Sequence, residues 1–309
     1  MITFPHAKIN LGLHVTGKWD CGAISPVVSP ANKHMVTAGK NSDTASPPSF
    51  QGYHTIESIL LPVKLCDILE VTPAQDAQTR IFTSGLPIDE DPGQNLCMKA
   101  YRLLADAIGG LPPVAIYLHK VIPPGAGLGG GSADAAFMLR LLDGYFNLDL
   151  EPGLLQRLAI RLGSDCPFFL QNKPRLATGT GHILEEISLD QLNDKHLVIV
   201  VPPIHISTAW AYKQVNIRKT AKRTPKLLVR EPMTTWQGQL QNDFEPLASK
   251  TYPILKHIKQ SLQNAGAVYA SLTGTGSGVY GIFSRRPSVA DMQQNFPDCH
   301  VFHTEPTVC

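Results

Sequence analysis

The chain contains nothing close to the ~18 or more consecutive apolar residues that a membrane-crossing helix needs, so no span is expected. Its opening, Met1-Ile2-Thr3-Phe4-Pro5-His6, lacks the charged start and apolar centre of a secretory signal. Blocks of like charge are missing too. The 27 Lys and Arg stand against 25 Asp and Glu, and a net charge of +2 argues against nucleic-acid binding through a basic face. There is no C-x-x-C pair. The six cysteines (Cys21, Cys66, Cys97, Cys166, Cys299, Cys309) are scattered, which excludes a disulfide frame or a zinc knuckle and suits reduced thiols in a cytosol. A composition of 43% hydrophobic and 17% charged residues over 309 positions is that of a globular protein of about two domains. The expectation is a cytoplasmic enzyme for a small-molecule substrate, monomeric or homodimeric, with no membrane and no nucleic-acid partner.

What the sequence does have is Pro123-Pro124-Gly125-Ala126-Gly127-Leu128-Gly129-Gly130-Gly131-Ser132-Ala133-Asp134-Ala135-Ala136, with five glycines in the seven residues 125–131. Such a run carries little side-chain structure but offers backbone N–H groups that can approach a ligand closely. It runs into Ser132 and an apolar face at Ala135, Leu139, Leu142 and Phe146, the spacing of a helix expected from Ser132 to Phe146. A glycine loop feeding a helix N-terminus is an anion site, with unpaired N–H groups and the positive dipole end aimed at one point. Gly125, Gly127 and Gly130 fit G-x-G-x-x-G, but Pro123-Pro124 cannot form the strand that a dinucleotide turn needs. The region about 20 residues on also has no strand ending in an acidic residue. No Gly-Lys-Ser/Thr follows, so a Walker loop is excluded. The loop is read as holding the phosphates of a nucleotide.

In chain order, Ile9, Leu11, Leu13 and Val15 alternate with Lys8, Asn10, Gly12 and His14, which makes a strand with Lys8 and Asn10 together on the face away from the apolar one. A strand lysine is ordinarily solvated. Residues 19–51, rich in Ser, Pro, Ala, Thr and Gly without periodicity, read as a disordered insertion. Order returns at Gly52-Tyr53-His54. Strands are expected at 65–71, 114–118, 197–201, 268–272 and 279–283, and helices at 95–108, 154–162 and 252–264. Gly163-Ser164-Asp165-Cys166-Pro167 is a turn into a new helix, and an Asp there is commonly a cap. Thr273-Gly274-Thr275-Gly276-Ser277-Gly278 is a second glycine-rich turn, for which a plain hairpin is a real competitor. Strands and helices mix without strict βαβ alternation. The class is therefore α+β, divided into residues 1–170 and 171–309.

The loop resembles the phosphate-binding motif of the GHMP kinases, with Ala133 where many members have a second hydroxyl residue. Ala7-Lys8-Ile9-Asn10-Leu11-Gly12, Gly52-Tyr53-His54, Asn95-Leu96, Gly163-Ser164-Asp165-Cys166-Pro167-Phe168-Phe169, Asn242-Asp243-Phe244-Glu245 and the late glycine turn then fall in the order of that family. The set is similar to the branch that phosphorylates a cytidine diphosphate-linked methylerythritol in the non-mevalonate route to isoprenoids. The resemblance covers nearly the whole chain outside 19–51. It implies a two-domain fold, with a ribosomal-S5-domain-2-like ATP domain followed by a ferredoxin-like domain, and a reaction that uses ATP and Mg²⁺.

It further implies a catalytic pair, Lys8 and Asp165. ATP would be held by Asn95, Pro124, Gly125, Ala126, Gly127, Leu128, Gly129, Gly130, Gly131 and Ser132, with Ser132 also on the metal. Substrate would be held by Asn10, Tyr53, His54, Thr273, Gly274, Thr275 and Gly276, with His205 as a second ring on the cytosine. A homoserine or mevalonate-type kinase, or a non-catalytic nucleic-acid-binding module of related fold, remains the alternative. Gly52-Tyr53-His54 counts against the former, and the modest charge and the Lys8 and Asp165 settings count against the latter.

Overall fold

The computed structural model describes residues 1–19, 52–215, 217 and 223–308; the insertion expected at 19–51 lies, after Trp19, outside the described residues. The elements are, in order, β1 (Ile2–Thr3), β2 (His6–Lys18), β3 (His54–Cys66), β4 (Ile68–Pro73), β5 (Arg80–Gly85), α1 (Leu96–Ile108), β6 (Val114–Lys120), α2 (Gly130–Phe146), α3 (Pro152–Leu162) and α4 (Cys166–Gln171). There follow β7 (Arg175–Thr178), β8 (Ile183–Glu186), β9 (His196–Val201), α5 (Thr208–Gln214), α6 (Pro225–Leu228), α7 (Glu245–Thr251), α8 (Pro253–Asn264), β10 (Tyr269–Leu272), β11 (Val279–Phe283), α9 (Ala290–Asn295) and β12 (His300–Thr304). No helix among the described residues is long and apolar enough to cross a membrane.

Among the described residues, three four-stranded sheets result, ordered β1-β4-β6-β5, β2-β3-β7-β8 and β10-β11-β9-β12. Beyond residue 170, β7 and β8 still belong to the sheet of β2 and β3. The alternation of Val114, Ile116 and Leu118 with Tyr117 and His119 turns one side of β6 inward, as its pattern requires. Helix α1 begins at a side-chain cap, Asn95 Oδ1 accepting from the Cys97 N–H (2.9 Å), and stops at Gly109, whose φ of 83° only glycine adopts cheaply.

The β2–β3 sheet sits in the middle. From one face, Ala7, Ile9, Leu11, Ile59 and Leu61 pack against Leu197, Ile199, Val201, Tyr280 and Ile282 of the third sheet. Each fully buried Ile or Leu contributes about 1.5–3 kcal/mol. The other face, with Leu60 and Ala177, meets a second core built on α1, α2 and Phe168 and Phe169 of α4. Lys8 and Asn10 lie on this covered face, so they are buried and not solvated.

Two expectations are corrected. The strand read across 65–71 is broken at Asp67, a buried residue whose carboxylate is turned to the far end of β6: Oδ1 accepts from the N–H groups of Val121 (2.6 Å) and Ile122 (2.9 Å). Helix α2 starts at Gly130, two residues before Ser132, because Gly129 takes the cap position with a φ of 72°.

Candidate active site

The glycine loop alternates. Ala126 and Leu128 point into the core, which anchors the loop. Between them Gly125, Gly127 and Gly129 have φ values of 70°, 75° and 72°. A side chain on Gly127 would meet the Thr273 carbonyl oxygen at 2.2 Å, and one on Gly129 would meet the ring of Phe169 at 2.8 Å. These positions need glycine for close approach as well as for conformation. The cap residue Gly129 supplies no side-chain acceptor to the first turn of α2. Pro124, Gly125 and Gly131 are exposed, so solvent reaches this turn and the start of α2, where an anion would gain from the helix's unpaired N–H groups and dipole.

Beneath the loop lies a buried ion cluster that the sequence reading did not contain. Lys120, the last residue of β6, pairs with Asp67 and with Asp134 (2.7 Å), all three almost wholly buried. Burial works against the Lys120 charge, but Asp134 and Asp67 outweigh it and raise its pKa. The cluster ties the strand before the loop to the helix after it.

Lys8 and Asp165 are brought together, as the resemblance implied. Lys8 Nζ lies 3.7 Å from Asp165 Oδ2, donates to Asn10 Oδ1 (2.6 Å) and donates to the Gly127 carbonyl (3.0 Å). The Lys8 backbone N–H donates to the Leu128 carbonyl (2.9 Å), so the strand and the loop are joined at this residue. Burial lowers the Lys8 pKa and Asp165 partly restores it. Asp165 precedes α4 but makes no side-chain cap bond, and about a third of its side chain is exposed (36%). The ordinary account of an Asp in such a turn therefore fails here. The carboxylate stands between a buried ammonium and solvent. Ser132 on α2 lies near this turn, its Oγ 3.9 Å and the Cys166 Sγ 3.4 Å from where a side chain on Gly163 would begin.

The late turn is a hairpin between β10 and β11, and it also closes on the glycine loop. Gly278 N–H donates to the Ala126 carbonyl (2.9 Å). Thr273 Oγ1 accepts from the Asn10 N–H (3.2 Å) and donates to the Gly127 carbonyl (3.1 Å). Gly274 packs on the Gly127 backbone, and a side chain at Gly276 would meet Ile206 and Leu272. Thr275 Oγ1 is 3.3 Å from Thr208 Oγ1. Asn95 is at the other end of the loop, since Leu96 next to it borders Gly131. Its carbonyl is committed to the cap of α1, which leaves Nδ2, weakly directed at Glu90 (3.5 Å).

Tyr53 is exposed (60%), and His54 opens β3. His205 lies against Gly125 of the glycine loop, its Nδ1 3.0 Å from where a side chain there would begin. The ring next to His54 is Tyr212 of α5, with centroids 5.1 Å apart and planes at 31°. Burial pushes the Tyr212 hydroxyl pKa up, and the Asp165 charge adds to this. Tyr212 was missed. Ser207, whose Oγ accepts from the Trp210 N–H (3.3 Å), is a legible cap for the helix that carries it, but a cap marks where a helix starts and not which of its rings meets His54.

The GHMP kinases N terminal domain matches residues 95–173, and the GHMP kinases C terminal domain matches residues 225–300. A 4-diphosphocytidyl-2-C-methyl-D-erythritol kinase of Azobacteroides pseudotrichonymphae is 44% identical over 285 residues, which span 92% of this chain and 94% of that protein. The Bacteroides fragilis protein of the same name is 40% identical over 307 residues, 99% of each. A solved structure of a 4-(cytidine 5'-diphospho)-2C-methyl-D-erythritol kinase aligns with a TM-score of 0.74 at 25% identity over 99% of both chains.

Proposed function

The chain belongs to the GHMP kinase family, among the 4-diphosphocytidyl-2-C-methyl-D-erythritol kinases, and from that membership we propose its reaction: transfer of the γ-phosphoryl group of ATP to the 2-hydroxyl of 4-diphosphocytidyl-2-C-methyl-D-erythritol, giving the 2-phosphate and ADP. Its fold is the two-domain GHMP-kinase fold, and the activity is ATP-dependent phosphoryl transfer. The observation that carries the reading is the buried Lys8 ammonium, 3.7 Å from Asp165 and bonded to the Gly127 carbonyl of the glycine loop. Phosphoryl transfer asks the protein chiefly to hold phosphates, offset charge and place an acceptor hydroxyl in line. The α2 N-terminus and the N–H groups of residues 125–131 serve the phosphates. Asp165 takes the proton of the acceptor hydroxyl as its oxygen bonds to phosphorus and ADP leaves, while Lys8 holds the carboxylate in place and offsets the developing charge.

Asn10 and Thr273 brace Lys8 and the loop from the substrate side, and Gly274, Thr275 and Gly276 line the same closing turn. Tyr53 and Tyr212 flank the cytosine with His54 between them, and base–aromatic stacking contributes roughly 1–3 kcal/mol per ring. Asn95 Nδ2 is the group available to adenine. Mg²⁺ belongs to this reading as the ion that neutralises phosphate oxygens. Magnesium takes one or two protein ligands and fills the rest of its shell with phosphate and water, and the Ser132 hydroxyl at the start of α2 suits that demand. Among the described residues there is no cluster of three His, Cys, Asp or Glu that would hold a metal by itself. The test is ADP release with the cytidine-linked polyol, set beside homoserine and mevalonate. Turnover with the first alone supports the reading, and turnover with either of the others in its place overturns it.

A further inference from the structure

The motif Asn242-Asp243-Phe244-Glu245 has no part in the chemistry above, yet Asn242 is buried (2% exposed) between the two elements that hold Lys8. Its amide Nδ2 donates to the carbonyls of Leu272 (2.9 Å) and Gly274 (2.8 Å), and its Oδ1 accepts from the Phe244 N–H (2.9 Å). The backbone around it pairs with β2: Leu13 N–H donates to the Gln241 carbonyl (2.9 Å), and Asp243 N–H donates to the Leu13 carbonyl (2.8 Å). Asp243 Oδ2 accepts from the Val15 N–H (2.8 Å). The segment is therefore fixed to the strand that carries Lys8 and Asn10, while the Asn242 side chain reaches across to the late turn.

Thr273 lies between the two carbonyls that Asn242 holds, and its hydroxyl spans Asn10 N–H and the Gly127 carbonyl, the same oxygen that accepts from Lys8 Nζ. We propose that Asn242 is a positioning residue for phosphoryl transfer, setting Lys8 against Asp165 by fixing the Thr273 turn to β2 and to the glycine loop. The residue type follows from the geometry. Two carbonyls two residues apart converge on one point, and only a primary amide of this length gives both a hydrogen while its own oxygen caps Phe244. Asp has no donor, and Ser has one. The proposal rests on the assignment of Lys8 and Asp165 as the reacting pair.

The experiment measures ATP-binding stoichiometry, and kcat and KM per binding-competent chain, for wild type, Asn242→Ala, Asn242→Ser, Thr273→Val and Asn242→Ala/Thr273→Val. A misplacement of about 1 Å costs up to about 10²-fold, so Asn242→Ala is expected to lose about 10- to 100-fold in kcat with ATP stoichiometry kept and KM for ATP little changed. Asn242→Ser, with one donor, is expected in between. The double variant is expected to lose no more than the worse single, because both act through one turn. A kcat per binding-competent chain equal to wild type, or losses that multiply in the double variant, would overturn the proposal and leave the activity standing. A wild-type chain that releases no ADP with the cytidine-linked polyol would overturn the activity and the proposal with it.

Discussion

Alanine at Gly127 tests whether the two glycine-rich turns must touch for the enzyme to work. The added methyl carbon would lie 2.2 Å from the Thr273 carbonyl oxygen, where ordinary contact begins at 3.4 Å, so loop and turn must part by about 1.2 Å. The φ of 75° adds a conformational cost of about 1–2 kcal/mol for any residue with a side chain. Because the Gly127 carbonyl accepts from both Lys8 Nζ and Thr273 Oγ1, that parting is transmitted to Lys8. A shift near 1 Å at a reacting group is worth about 10²-fold in kcat, or about 2.7 kcal/mol of activation free energy. Gly109→Ala is the control, with a φ of 83° and no atom within 4 Å of the new carbon. It should lose about 1–2 kcal/mol of stability and keep wild-type kcat. Stability comes from denaturant unfolding and kcat from coupled ADP release. Equal kcat in the two variants would refute the idea that loop–turn contact sets the lysine.

Four further outcomes are expected. Tyr212→Leu should raise KM for the cytidine substrate by the loss of one stacking ring, about 1–3 kcal/mol or roughly 5- to 150-fold, with KM for ATP unchanged; a parallel rise for both ligands would remove Tyr212 from the cytosine site. Lys120→Met leaves Asp67 and Asp134 buried without their cation, so unfolding free energy should drop by about 3–5 kcal/mol, and a change under about 1 kcal/mol would show that the cluster does not hold the loop. Burial lowers the Lys8 pKa, so kcat should fall as pH rises through a value below that of an ordinary lysine, the protonated form being the active one; a profile flat up to pH ~10.4 would contradict this. Deleting residues 22–49 should leave the melting transition in place, because Trp19 N–H already bonds the Tyr53 carbonyl (2.7 Å) and Gly52 N–H the Trp19 carbonyl (3.3 Å) across the gap; loss of a cooperative transition would refute it.

Much of this was legible in the residues, and the exceptions have physical causes. Strand alternation showed that Lys8 and Asn10 share a face, but alternation alone cannot say that the second face is also covered. That depended on α2, α4 and the late turn closing over it. The glycine loop was readable because its density has no cheap structural use, and close approach to Thr273 and Phe169 explains two of its glycines beyond any ligand. Asp67 was read inside a strand, since a local pattern does not record a carboxylate turned toward backbone N–H groups more than fifty residues away. Strand β5 was passed over because it is largely exposed and pairs in parallel with β6 about 35 residues on, and β7 and β8 because each is only four residues long, too short for a pattern to show. Tyr212 is one residue on a short helix, and only the folded chain sets its ring beside His54.

The most direct test of the Lys8–Asp165 account is single-turnover phosphoryl transfer from ATP to the cytidine-linked polyol by Asp165→Ala, with ATP binding measured on the same preparation. Loss of a general base is expected to slow transfer by about 10²- to 10⁴-fold while ATP binds as in wild type. Transfer at the wild-type rate would contradict the account.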